Sequence, residues 1–311
     1  MKIAVVGGAL QGIEAVYLSE LAGYKTLVMD RRSEAPALAL ADETAVMNPA
    51  EDMDAAMKLF SDCDAVLPAC EELDLLEKLD RSLSETEIPF LFDMKSYRTS
   101  CSKIKSNELM KKAGVPMPKP WPECGYPVIV KPSSQSGSVS VTPAGNDAEL
   151  NEGLRKIEEL NDSPVIQEFV HGKSISIEAV GNGKKAKSYV TTEVVLDRNY
   201  DCKMVRCNPG IIPEEDEKIF GKACKDTAEM LGLSALMDME AVYTEKGIRV
   251  LEIDARIPSQ TPAAVEAGSG INLLKELVEC STGKTSSAKD SRRAGIYEHY
   301  VFRNGVLATS G

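Results

Sequence analysis

At 311 residues, with 43% hydrophobic and 27% charged positions, the chain is long enough for two or three domains with ordinary cores and should fold without cross-links. A formal net charge of −12 argues against nucleic acid or an anionic membrane as the main partner, because both call for clustered Lys and Arg. The eight cysteines contain no Cys-x-x-Cys pair and are joined by only His171 and His299, which disfavours a zinc site or a disulfide framework and fits reduced thiols in a cytosol.

Directly after Met1-Lys2, the apolar run Ile3-Ala4-Val5-Val6 predicts a strand, leaving no room for a signal peptide. Gly7-Gly8-Ala9-Leu10-Gln11-Gly12 leads into a helical pattern through Leu21, and a second strand over 25–29 ends at Asp30, which is the opening of a βαβ unit. The loop resembles the dinucleotide fingerprint, but Ala9 stands where the middle glycine would let backbone approach a pyrophosphate. Two readings stay open: a doubly wound fold whose loop contacts some ligand, or a nucleotide site with Asp30 as its ribose-binding acid. A strand over 64–69 places Cys70-Glu71-Glu72 at its carboxyl end, where open α/β sheets bind ligands. Glu71 is there either as an amine-binding acid or, with Glu72, as helix-start acidity. Phe90-Leu91-Phe92 closes this unit, giving a Rossmann-like domain over 1–95.

A second unit, 96–172, starts with Ser102-Lys103-Ile104-Lys105 and a helix stopping at Gly114. A strand over 126–132 carries Lys131 near its end and is followed by Ser133-Ser134-Gln135-Ser136-Gly137-Ser138. That small-residue loop suits either a mobile flap over phosphates or an exposed hairpin turn. After a helix over 147–160, the strand over 164–170 leads to a hinge at His171-Gly172. In the third unit, 173–311, the alternation over 174–180 turns Ser176 and Glu178 to one face, toward solvent or a substrate cleft. A helix over 216–231 ends at Gly232, and Gly268-Ser269-Gly270 is expected to begin a last helix through Val278. No repeat, low-complexity segment or apolar run of about 18 residues interrupts this order.

Between these helices lies the most informative stretch. Alternation places Asp238 and Glu240 on one face of a strand and Glu252, Asp254 and Arg256 on one face of the next. A three-residue loop at Glu245-Lys246-Gly247 sets Glu240 opposite Glu252 and Asp238 opposite Asp254. Four carboxylates on one patch destabilise a sheet unless a cation sits among them, and oxygen-only ligands select a hard ion such as Mg²⁺. A solvated hairpin with a polar outer face is the plain alternative.

The segments Val6-Gly7-Gly8-Ala9-Leu10-Gln11-Gly12, Tyr200-Asp201-Cys202, Met237-Asp238-Met239-Glu240-Ala241 and Glu252-Ile253-Asp254-Ala255-Arg256-Ile257-Pro258-Ser259-Gln260-Thr261-Pro262 follow one another in a telling order. This order resembles the ATP-grasp superfamily over nearly the whole chain. Asp254, where most members have Asn, and the Pro258–Pro262 tail bring it nearest to members that join 3-methyl-D-ornithine to L-lysine in pyrrolysine biosynthesis. The resemblance implies an α/β ATP-grasp fold, α+β in its C-terminal part, behind a doubly wound first domain, in a cytoplasmic ligase using ATP and Mg²⁺. It further implies that Lys103 and Lys131 hold phosphates, that Gln167, Glu168 and Val170 line the adenine pocket, and that Glu240, Glu252 and Asp254 ligate Mg²⁺. Ser176, Glu178, Asp238, Arg256 and Ser259 would hold the activated amino acid, Leu10, Gln11 and Glu71 would touch lysine, and Arg256 would also steady an oxyanion. Three departures stand out: Asn107 replaces a usual Lys, Ser174 replaces a usual ribose-binding acid, and the chain ends soon after 296–299, earlier than the likeness leads one to expect. The rival readings are another ATP-grasp amino-acid ligase or carboxylase, a nicotinamide-dependent oxidoreductase built on the Gly7–Gly12 loop, and a catalytically silent amino-acid-binding protein.

Overall fold

The computed structural model describes residues 1–198, 200–284 and 288–309. The first unit is a parallel sheet of β1 (Lys2–Val6), β2 (Lys25–Asp30), β3 (Glu43–Val46) and β4 (Ala65–Pro68) in the order β3-β2-β1-β4. It is wrapped by α1 (Leu10–Leu21), α2 (Met53–Phe60) and α3 (Leu73–Leu83). The loops after β1 and β4 meet at the sheet's carboxyl edge, the usual ligand side of such a fold. Gly7 makes that meeting possible: its φ is +112°, and a Cβ there would lie 2.4 Å from the Ala69 carbonyl oxygen.

Helices α4 (Met94–Ser100) and α5 (Lys103–Lys112) lead to a small antiparallel sheet, β6-β5-β7, made of β5 (Val128–Pro132), β6 (Thr142–Ala144) and β7 (Pro164–Glu168) and backed by α6 (Asp147–Glu159). The third sheet is antiparallel, in the order β12-β11-β8-β9-β10-β13. Its strands are β8 (Lys173–Gly181), β9 (Ala186–Leu196), β10 (Cys202–Cys207), β11 (Leu236–Thr244), β12 (Gly247–Asp254) and β13 (Gly295–Glu298). Helix α7 (Glu214–Leu231) buries Phe220 and Cys224 against Ile177, Met237 and Met239, and ends as expected at left-handed Gly232. A further core joins the first unit to the third, packing Ile3, Leu18 and Leu67 with Val180, Leu236 and Val265. A hairpin of β14 (Tyr300–Arg303) and β15 (Val306–Thr309) closes the described chain.

Two expectations need correction. Gly268-Ser269-Gly270 does not start a helix: it ends α8 (Thr261–Ser269), with Gly270 left-handed at φ 76°, and α9 (Leu273–Ser281) starts after Asn272, whose side chain accepts from the Lys275 N–H. The acidic hairpin also closes differently. Thr244 pairs with Gly247, so the connection is two residues long, and the extra residue is Leu251, bulged between the pairs Ala241–Val250 and Glu240–Glu252. The expected pairs Glu240–Glu252 and Asp238–Asp254 form, but through the bulge rather than through a longer turn.

Candidate active site

Strand alternation builds the floor of the main cleft, a cavity of about 460 Å³. Met237, Met239 and Ala241 face the core at 0% exposure, and this turns Asp238 and Glu240 the other way, beside Glu252 and Asp254 of β12. Into this acidic face come cations from three elements. Lys131, on β5, reaches the carbonyl oxygen freed by the Leu251 bulge (3.2 Å) and Glu252 (3.5 Å). Lys103 opens α5, whose start is fixed by the Ser102 hydroxyl accepting from the Lys105 N–H; its ammonium lies 3.2 Å from Glu252 and 2.7 Å from the Gln135 carbonyl. Arg256 follows β12 and splits its guanidinium among Glu71 (Nε, 2.9 Å), Asp254 (Nη2, 3.0 Å) and Asp238 (Nη1, 3.4 Å).

The charges are unevenly balanced. Burial together with Glu252 and Asp254 pushes Glu240 up to about 7. Asp254 goes up to about 6, burial and Glu252 outweighing Arg256, whereas Lys131 and Lys103 overcome burial at Glu252 and hold it at about 2. Burial works against the Lys103 ammonium too, but Glu252 and Asp254 raise its pKa nevertheless. These acids therefore repel one another in a way a hard cation would relieve, and the donor set of carboxylate oxygens without His or Cys suits Mg²⁺. Among the described residues no three such side chains already surround a common point. Glu252 leans toward the two lysines and Asp254 toward Arg256, so an ion here would complete its shell with oxygens of its ligand.

The cleft's other wall carries Gln167, Glu168 and Val170 beside the hinge at His171-Gly172, together with Ser174. Gln167 is 4% exposed and its side-chain NH₂ has no partner among the described residues, a donor available to a ligand. Asn107 is off the cleft wall, its carbonyl oxygen buried and without a partner among the described residues, and Lys105 is exposed, so of the two candidate lysines of this helix it is Lys103 that enters the cleft.

A second cleft, about 610 Å³, opens on the first sheet and is lined by Leu10, Gln11, Asp30 and Glu71. Asp30, expected with the nucleotide candidates, lines this second cleft and not the main one. Its carboxylate takes the Gly8 N–H (2.6 Å) and pairs with Arg32 (3.2 Å), contacts that overcome burial and hold its pKa low. Glu71 also lies low despite burial, through Arg256, the Ser136 hydroxyl and the Gln11 amide, the last at 2.7 Å. Glu71 thus joins the two clefts, and Ser136 and Ser259 line both.

Of the remaining candidates, Asp238 and Ser259 line the main cleft, but Ser176 and Glu178 are buried beneath it at 1% and 0% exposure. Burial pushes Glu178 up to about 7, and both its oxygens lack hydrogen-bond partners among the described residues, with the Thr261 hydroxyl facing it. The cleft also uses groups that the sequence did not disclose. The Gln135 carbonyl and Ser136 act through loop geometry, and Gln260 and Thr261 through a helix start that no local cap announces. Tyr200, Asp201 and Cys202 line the cleft as well, the Tyr200 carbonyl accepting from Ser138 at 3.1 Å.

Residues 101–260 match the model of the ATP-grasp domain, and residues 3–91 that of a PylC-like N-terminal domain. The chain is 37% identical to a 3-methyl-D-ornithine–L-lysine ligase of Methanosarcina barkeri, across 99% of this chain and 82% of the relative. It is 36% identical to that of Methanosarcina mazei, across 99% and 80%. Among solved structures it is similar in fold to the Hydrogenobacter thermophilus 2-oxoglutarate carboxylase biotin carboxylase domain in complex with MgADP, ADP and bicarbonate (TM-score 0.79, 19% identity, 95% of this chain and 73% of that one). An N5-carboxyaminoimidazole ribonucleotide synthetase in complex with ADP is equally similar in fold (TM-score 0.80, 17% identity, 95% and 80%).

Proposed function

Because the chain belongs to the ATP-grasp family and, within it, to the 3-methyl-D-ornithine–L-lysine ligases, we propose that it joins the carboxylate of 3-methyl-D-ornithine to the ε-amine of L-lysine, converting ATP to ADP and phosphate. The units 1–95, 96–172 and 173–311 divide the work, with nucleotide between the second and third and lysine against the first. No helix among the described residues is long and apolar enough to cross a membrane, and we place the reaction in the cytoplasm.

A carboxylate is a poor electrophile, so it must first take a phosphoryl group and become an acyl phosphate. Lys103 and Lys131 exchange Glu252 and the Leu251 carbonyl for phosphate oxygens and neutralise the charge that is transferred. Glu240, Glu252 and Asp254 would hold Mg²⁺, which when bound supplies Lewis-acid charge neutralisation at the phosphates. Asp238 and Ser259 orient the carboxylate substrate, and Gln11 and Glu71 bind the lysine as an amine. Arg256 stands between the two, where it steadies the oxyanion formed as the amine attacks and phosphate leaves. Ser136 and its neighbours over 133–138 cover the junction and keep water from the acyl phosphate.

The observation that carries this reading is Arg256 bridging Glu71 of the first unit to Asp238 and Asp254 of the third, beside a carboxylate held between two lysines. Mass spectrometry of a mixture of ATP, Mg²⁺, D-ornithine and L-lysine tests it. A product with the mass of both amino acids less one water, formed with ADP, is expected. ADP release that requires bicarbonate, or none with any diamine pair, refutes it.

A further inference from the structure

Helix α8 begins without a cap of its own. The residue before it, Gln260, makes no capping hydrogen bond through its side chain, and Pro262 occupies its first turn. Its open N–H groups are met from the other end of the chain. The Glu14 side chain, on α1 and only 2% exposed, accepts the Ala263 N–H at 2.6 Å, with the Gln260 backbone beside it.

The backbone that Glu14 holds is strained. Gln260 has φ 79° and ψ −43°, and the Thr261 N–H closes on the Ser259 carbonyl at 3.1 Å, which makes a γ-turn of the rare positive-φ kind around a residue that is not glycine. Ser259, Gln260 and Thr261 all line the main cleft next to Arg256. A strained turn persists only where its surroundings fix it, and here one buried side chain from the first unit pins the residue two places beyond it through the Ala263 N–H.

We propose that Glu14 is a positioning residue for the amino-acid side of the cleft: its carboxyl oxygen holds the Ala263 N–H just after the turn at Gln260 and so sets Ser259 where the carboxylate substrate binds. This rests on the ligase reading. The group needed is a hydrogen-bond acceptor of this length, in either protonation state. Glu14→Gln keeps the acceptor, whereas Glu14→Met keeps the size without it and leaves the Ala263 N–H buried and unmet.

The test is steady-state kinetics of both variants with ATP, L-lysine and D-ornithine. Glu14→Gln should stay within about twofold of wild type, while Glu14→Met should raise the KM for D-ornithine roughly tenfold, the scale of one lost buried hydrogen bond, with kcat and the KM for ATP little changed. A wild-type KM in Glu14→Met, or a fall in kcat that merely follows a fall in Tm, overturns the proposal. Should Glu14→Met not fold, Gln260→Gly provides the second route, because glycine relieves the strain. Glu14→Met/Gln260→Gly should then have the same KM as Gln260→Gly, and a KM raised as far again overturns the proposal. The two readings fail separately: a wild-type enzyme that forms no amide removes the ligase, and an active wild type matched by Glu14→Met removes only the role of Glu14.

Discussion

In the first-sheet cleft Asp30 and Glu71 lie below the ordinary carboxylate range, whereas in the main cleft Glu240 and Asp254 lie above it, although arginine or lysine is close to all four. The difference is one of number. Asp30 has Arg32 and the Gly8 N–H, and Glu71 has Arg256, Gln11 and Ser136. In the main cleft four acids share three cations, and one of them, Glu252, draws both lysines. The first cleft is therefore settled as it stands, each of its two acids already matched by a cation and hydrogen-bond donors. The second is short of positive charge and suited to a ligand that arrives with a metal ion.

The contrast can be broken at its strongest point by Glu252→Gln. Losing the charge between Lys103 and Lys131 should lower ADP formation by about 10²–10³-fold, on the scale of removing a transition-state contact. Near wild-type turnover would remove Glu252 from phosphoryl transfer. Glu71→Gln should raise the KM for lysine about tenfold through one weakened charged hydrogen bond and slow amide formation by releasing one arm of Arg256, while hydroxylamine trapping of the acyl phosphate continues. Equal loss in the trapping assay would show that the two clefts are a single site. The smallest effect concerns the buried acids outside both. Glu14 at about 8 and Glu178 at about 7 retain protons that the unfolded chain has already released, so stability falls as pH rises from about 5 to 8. Thermal melts across that window should show a shallower decline in Glu178→Gln than in wild type, and parallel curves would mean that Glu178 is charged when folded.

What the sequence disclosed follows the distance over which its signals act. The facing of Asp238, Glu240, Glu252 and Asp254 could be read because a strand repeats every two residues and the turn lies within the same short stretch. Even there the pairing is right for another reason, since composition has no signature for a bulge at Leu251. The motif at Gly7–Gly12 points to Asp30 as a nucleotide contact, but its neighbours Gly8 and Arg32 claim it first. Helix α8 carries no local cap signal in the sequence, because the group that caps it sits 249 residues upstream. Glu178 could be placed on the correct face but not at the correct depth, because depth depends on α8 and the Thr261 side chain that covers it.

The grip of Lys131 on the Leu251 carbonyl bears on how two sheets are held together. This ammonium fastens the small three-stranded sheet to the acidic hairpin through the Leu251 carbonyl and Glu252. Replacing Lys131 would loosen the two sheets before any substrate is added, so protease susceptibility of the resting protein, and not affinity alone, would report the loss.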